Sequence, residues 1–263
     1  MNKEYFFLAG LPRSGQTLLS SILNQNPDLH VGPESPVCNL ISVVFNSLEN
    51  NEQHNLYPKP EIYPNLARSI MDGYYYDVDK KYIMDKCRVW NSSFNMDLIK
   101  LTLNPNAKIV CGVRNILEVL TSYITLIHNS PDDNFVDQNL TMMNLEVNDE
   151  NRCMWLMREQ GLVGLSCFAL QQTHDSENVH LIEYNDLVND TDNVISNLYD
   201  FLEIPHYNHT YDNITNNFKV SDDLLGMPTL HHVRSTISKT SLSPEEVLPE
   251  SILKEYKDVE FWR

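Results

Sequence analysis

Eight residues near the N-terminus, Gly10-Leu11-Pro12-Arg13-Ser14-Gly15-Gln16-Thr17, have the types and spacing of a loop that holds an anion. Its two glycines let the backbone turn its N–H groups inward, and the hydroxyl of Thr17 follows two places after Gly15. The loop falls between an apolar run, Tyr5-Phe6-Phe7-Leu8-Ala9, and a helix-like stretch over Thr17–Leu23, so a helix N-terminus would stand behind it. A nucleoside-triphosphate site of this shape carries Lys directly after the second glycine. Here that place holds Gln16, and the positive charge sits at Arg13, inside the loop. The pattern is a phosphate loop without the cation that reaches β- and γ-phosphates. The plainer reading, a turn joining strand to helix, leaves the coincidence of position, spacing and Arg13 unexplained.

A second pair points to another anion. Val110-Cys111-Gly112-Val113 is the clearest buried-strand pattern in the chain and ends in Arg114; Ser122 follows in the next helical stretch, at the eighth position (122 − 114 = 8). An Arg at a strand end and a Ser two helical turns later can face one anion, supplying a charged fork and a hydroxyl donor. Singly, each is also what a helix start and a helix filler look like.

The stretch Leu11–Leu19 resembles the 5′-phosphosulfate-binding loop of sulfotransferases that use 3′-phosphoadenosine 5′-phosphosulfate (PAPS). The likeness is greatest to the tyrosylprotein sulfotransferase-like and bacterial branch, where Pro-Arg-Ser-Gly-Thr/Ser-Thr is common. The resemblance implies an α/β fold with a P-loop-like central parallel β-sheet flanked by helices. It also implies transfer of a sulfuryl group from PAPS to an acceptor hydroxyl, leaving 3′-phosphoadenosine 5′-phosphate (PAP). By the same resemblance the loop backbone through Gly15 and Gln16, with Arg13, Ser14 and Thr17, holds the 5′-phosphosulfate. Arg114 and Ser122 match the 3′-phosphate site, although Leu126 stands where some relatives carry a further Arg. Tyr184, in Val179–Leu187, matches a residue near the nucleotide.

Sulfuryl transfer requires a base for the acceptor hydroxyl, a cation for the bridging oxygen and an in-line arrangement across sulfur. Glu34, in His30-Val31-Gly32-Pro33-Glu34-Ser35-Pro36, matches the catalytic Glu of tyrosylprotein sulfotransferases; the alternative is a carboxylate capping the helix that begins near Val37. Lys86 matches the transition-state-stabilising Lys; the alternative is a surface Lys paired with Asp85 or Asp79. Cytosolic sulfotransferases of small molecules use Lys-x-His with His as base, and Arg88 occupies the His position here, which favours Glu34. Arg13 is counted with the catalytic groups. Ser235, in Val233-Arg234-Ser235-Thr236, resembles a serine of a late loop that assists the transition state, and Lys239 adds charge toward the phosphates. His231 and His232 are rival bases. No spacing suggests a metal site, and the scheme needs no metal.

The elements that must position these groups are strands alternating with helices, the signature of a parallel sheet with ligands at the carboxyl ends of its strands. Strands are expected over Glu4–Ala9, Leu29–Val31, Tyr82–Met84, Ala107–Val113 and Val179–Ile182. Helices are expected over Thr17–Leu23, Val37–Leu48, Ile62–Tyr75, Ile116–His128, Cys153–Thr173, Val194–Leu202 and Glu250–Lys257. No repeat or linker divides the chain, so residues 1–263 are expected to form a single sulfotransferase domain. The spans 39–76 and 131–151 match nothing in the resemblance and are expected to shape the acceptor pocket.

Nineteen basic against 36 acidic residues give a net charge of −17, a surface that repels nucleic acid and anionic membranes. No apolar run approaches the roughly 20 residues of a membrane span, and the N-terminus is not that of a signal peptide. Five scattered cysteines without a C-x-x-C pair suggest reduced thiols. The expectation is therefore a cytoplasmic protein, monomer or homodimer, acting on a tyrosine, a sugar or a small alcohol. A P-loop small-molecule kinase, opposed by Gln16, and an inactive nucleotide-binding relative, opposed by Glu34 with Lys86, are the alternatives.

Overall fold

A parallel sheet covered on both faces needs strands that are apolar at successive positions. Strand β1 (Glu4–Gly10), reading Glu-Tyr-Phe-Phe-Leu-Ala-Gly, supplies them, and all but Glu4 are buried. Side chains alternate across its faces. Tyr5, Phe7 and Ala9 enter one core with Ile83, Ile109 and Val113, whereas Phe6 and Leu8 enter the other with Met84, Val110 and Ile182.

The computed structural model describes residues 3–130, 134–216, 218, 221–227, 229–237 and 242–263. After β1 come α1 (Gln16–Leu23) and β2 (Leu29–Glu34). Helices α2 (Val37–Glu49), α3 (Glu52–Leu56) and α4 (Ile62–Tyr74) lead to β3 (Tyr82–Lys86), and α5 (Ser93–Thr102) to β4 (Ile109–Val113). Four helices, α6 (Ile116–His128), α7 (Phe135–Met142), α8 (Asp149–Met157) and α9 (Leu162–Thr173), precede β5 (Val179–Glu183). Then follow α10 (Tyr184–Asn189), α11 (Thr191–Leu202), a 3₁₀ turn (Asp222–Leu225), α12 (Pro244–Val247) and α13 (Glu250–Tyr256). The strands are all parallel, in the order β2-β3-β1-β4-β5.

The sheet reverses its winding about β1. Helix α1 leaves β1 on one face, burying Leu19, Ile22 and Leu23 in the second core; α6 leaves the adjacent β4 on the other, burying Ile116, Leu120 and Ile124 in the first. Such a switch point opens a crevice outside the carboxyl ends of the two strands. The approach of β1 to β4 there is close: Gly10 has φ 106°, and a Cβ on it would lie 2.3 Å from Gly112 O.

Two expectations about elements are corrected. The continuous helix over Cys153–Thr173 is divided into α8 and α9, because Arg158 adopts an extended backbone and α9 passes tightly against the end of α8. A Cβ on Gly164 would meet Arg158 O at 2.1 Å, so glycine is what permits the crossing. Strand β2 runs on past Val31 to Glu34 through a register irregularity, which carries Glu34 to the strand end rather than into a connecting loop. Among the described residues no helix is long and apolar enough to cross a membrane.

Candidate active site

The crevice is a cavity of about 1040 Å³. Arg13, Gly15, Gln16, Thr17, Glu34, Lys86, Arg114, Ser122 and Tyr184 all line it, so residues spread over most of the sequence meet in one place. Its floor is the loop after β1. Both Arg13 (φ 60°) and Gly15 (φ 82°) are left-handed, which costs a non-glycine residue such as Arg13 about 1–2 kcal/mol. Gly15 is required for a second reason: a Cβ there would come within 2.9 Å of the Tyr184 ring, which lies against the loop.

Within the loop the polar side chains divide their tasks. Ser14 Oγ donates to Leu11 O at 2.6 Å and turns away from the cavity. The Gln16 amide donates to Ala9 O and Leu11 O, each at 3.1 Å, fastening the loop to the end of β1. Where a triphosphate loop has a mobile cation, this one has an amide occupied by backbone carbonyls. Arg13 Nε donates to Ser122 Oγ at 3.0 Å and its other arm to Leu230 O, while burial pulls the guanidinium pKa below its ordinary value.

Arg114 and Ser122 are both at the cavity but not bonded to each other. The Arg114 guanidinium, 5% exposed, donates to Glu118 Oε2 and to Arg13 O, each at 3.0 Å, and stacks over Tyr184 at 4.0 Å from the ring centroid. This pins a cation beneath the loop, with an aromatic ring as its second wall.

The candidate pair Glu34 and Lys86 is fixed by strand register. Glu34 faces Lys86 across β2 and β3, Lys86 faces Leu8 across β3 and β1, and Ser35 N–H donates to Lys86 O at 2.8 Å. Glu34 does not cap α2, whose first N–H, that of Val37, is met by Ser35 Oγ; its Oε1 instead accepts from Arg88 Nε at 3.0 Å. Lys86 is 7% exposed and is no surface lysine; among the described residues its Nζ has no hydrogen-bond partner. Desolvation lowers its pKa to about 8, the Glu34 charge opposing and Arg88 and Arg13 reinforcing the shift. Its neighbour Asp85 points the other way and accepts from Ser35 Oγ, Tyr75 OH and Trp90 Nε1, each at 2.6 Å. Burial raises the Asp85 pKa despite those three donors. This buried carboxylate holds both strand ends in place from behind.

Other sequence expectations fare differently. Ser235 is exposed and outside the lining, its carbonyl bonded to Ile214 N–H, although Arg234 and Thr236 beside it line the cavity. Lys239 lies outside the described residues. Among the described residues, the span 39–76 contributes nothing to the lining and 131–151 only Phe135; Leu162, Leu225, Leu242 and most of 229–237 contribute instead. Among the lining groups to which the sequence reading gave no role are Arg88, the partner of Glu34, and Tyr123, a buried phenol whose pKa desolvation raises. Arg88 had a signal: it stands two residues beyond Lys86, in the turn just after the strand whose last residue pairs with Glu34.

Residues 6–209 match the family described as the sulfotransferase family. The chain belongs to the sulfotransferase family. It is accordingly an enzyme of the sulfotransferase class. No curated protein matches the chain in sequence. Among solved structures, mouse sulfotransferase SULT7A1 complexed with PAP is similar at a TM-score of 0.52 and 12% identity, covering 98% of this chain and 84% of that one. Sulfotransferase STF9 from Mycobacterium avium is similar at a TM-score of 0.50 and 14% identity, covering 98% and 77%. At these identities the likeness is one of fold, and the five-stranded parallel sheet flanked by helices is the sulfotransferase fold.

Proposed function

We propose that the cavity binds PAPS and that the enzyme transfers its sulfuryl group to an acceptor hydroxyl, with Glu34 as the base. The observation that carries this reading is the Glu34–Lys86 register pair at the mouth of the phosphate loop. A carboxylate that accepts a proton and a desolvated ammonium that meets developing charge lie side by side, as in-line displacement requires. The loop backbone, Arg13 and Thr17 hold the 5′-phosphosulfate; Arg114, Ser122 and Tyr184 hold the 3′-phosphate end. Ser14 and Gln16 support the loop rather than touch the donor. Arg88 orients the Glu34 carboxylate until the acceptor arrives. Ser235 lies between Arg234 and Thr236, which line the cavity, and Lys239 adds charge toward the phosphates. The whole chain, 1–263, acts as one domain, since the segment after residue 209 supplies a wall of the cavity.

The test is calorimetry with PAP, ADP and ATP. PAP is expected to bind far more tightly, because losing an Arg-fork phosphate contact costs about 2–5 kcal/mol. In parallel, Glu34→Gln should lower turnover by about 10²–10⁴ while keeping PAP affinity near wild type. Equal affinity for ADP would remove the 3′-phosphate assignment; full activity of the variant would move the base elsewhere.

A further inference from the structure

The segment closing the cavity contains a paired carboxylate and imidazole that the scheme above does not use. Asp222, 8% exposed, sits at the start of the 3₁₀ turn and gives both oxygens to one residue. Its Oδ2 accepts the His231 backbone N–H at 2.9 Å, and its Oδ1 meets His231 Nδ1 at 2.5 Å. The backbone bond alone would close the turn. The second bond fixes the imidazole ring and its tautomer, leaving Nε2 without a hydrogen-bond partner among the described residues. His231 lines the cavity, and the residue before it is held by the phosphate loop, because Arg13 donates to Leu230 O. The Asp222 charge also acts on Arg13.

We propose that His231, held by Asp222, is an additional ligand of the donor's 5′-phosphosulfate and binds it as the imidazolium, so that nucleotide binding takes up a proton. The proposal rests on the donor reading of the cavity. With Nδ1–H given to a carboxylate, Nε2 is an acceptor when the ring is neutral and a donor when it is protonated. A polyanion beside it favours the second state, and Asp222 supplies the countercharge from behind. The charged and titratable groups around the ring are Asp222, Arg13 across the Leu230 contact, and His232 and Arg234 along the same segment; Lys86 and Arg114 share the cavity. No covalent bond changes: up to one proton passes from solvent to Nε2 for each nucleotide bound.

The sign follows directly. The protonated form binds better, so the contribution is present at low pH and is lost as pH rises. Lys86 and the nucleotide's own phosphates titrate too, and comparison of variants removes their part. Calorimetric titration of PAP between about pH 6 and about pH 8.5 is the measurement, on wild type, His231→Gln and Asp222→Asn, in buffers of differing ionisation enthalpy. At about pH 6, His231→Gln should weaken PAP by about 10-fold or more, the size of a charge-assisted hydrogen bond, and should converge on wild type near pH 8.5. Wild type should take up more protons than either variant. Binding of 3′-AMP, which lacks the 5′-phosphate, should be unchanged by the substitution. Wild-type PAP preference with an unaltered pH slope in His231→Gln and in Asp222→Asn overturns the proposal alone, as does an equal loss for 3′-AMP. PAP no tighter than ADP in wild type overturns the donor reading together with it.

Discussion

Lys86 is where residue chemistry and burial act against each other. An ammonium taken out of water gives up its proton more readily, which is why its pKa falls to about 8. In the proposed role only the charged form meets the bridging oxygen. Activity should therefore fall as pH rises through about 8 in kcat/KM, which reports the free enzyme. Lys86→Arg, whose guanidinium stays charged, should push that alkaline limb beyond about pH 10 even if its absolute rate is lower. Lys86→Ala should lose about 10²–10³ in kcat with PAP affinity little changed. An alkaline limb shared unchanged by Lys86→Arg would assign the titration to another group. Glu34, in contrast, is held in the open by Arg88, so its role depends on being reached by the acceptor rather than on burial.

Among the elements, two glycines give opposite forecasts. Gly112, at the end of β4, faces the phosphate loop so closely that a Cβ would sit 2.4 Å from Ser14 Oγ and 3.2 Å from Gln16 Cγ. Gly112→Ala must displace the loop, and should weaken PAP by about tenfold while costing about 1–3 kcal/mol of stability. Gly73, on the exposed side of α4, has nothing within 4 Å of its Cβ position, so Gly73→Ala should stabilise the chain by about 0.5–1 kcal/mol with binding unchanged. Thermal melts with and without PAP check both. The loop, β1, β4 and α6 were legible because strong apolar periodicity surrounds a Gly- and Arg-bearing turn; α6 was bounded at Ile116–His128 in both readings. The short helices α5, α7 and α10 were not, since their stability comes from packing rather than from periodicity. The site residues found by type were those whose spacing is local. The Asp222–His231 pair comes together only through tertiary contacts, which no spacing records. The span 39–76, unmatched in sequence, lends no residue to the cavity lining among the described residues; its α2 and α4 residues Ile41 and Met71 are buried in the first core.

For the molecule as a whole, a net charge of −17 surrounds a cavity lined by Arg13, Lys86, Arg88 and Arg114. A polyanionic nucleotide is repelled at long range and attracted at contact. Salt screens exposed, distant charges over a Debye length of about 10 Å at 0.1 M but reaches buried partners much less. Association of PAP should therefore quicken between about 20 mM and about 200 mM salt, the reverse of an ordinary oppositely charged pair. Stopped-flow tryptophan fluorescence would follow it; a rate that falls steeply with salt would mean that the local cations dominate even at a distance.

The central place of β1 also bears on the order in which the protein can be made. The strand precedes every partner in the chain, yet its neighbours are β3 and β4, so Glu4 waits for Tyr82 and Phe7 for Ile109. During synthesis the apolar run Tyr5–Ala9 has no strand to join until β3 has emerged and none on its other edge until β4 follows, and contacts of such separation form slowly. The same pairing sets Lys86 opposite Leu8 and Glu34 opposite Lys86. Nascent chains ending before β3 therefore carry the loop sequence without the sheet that shapes it, and have a greasy segment for chaperones to shield. The Glu34–Lys86 pairing can form no earlier than β3.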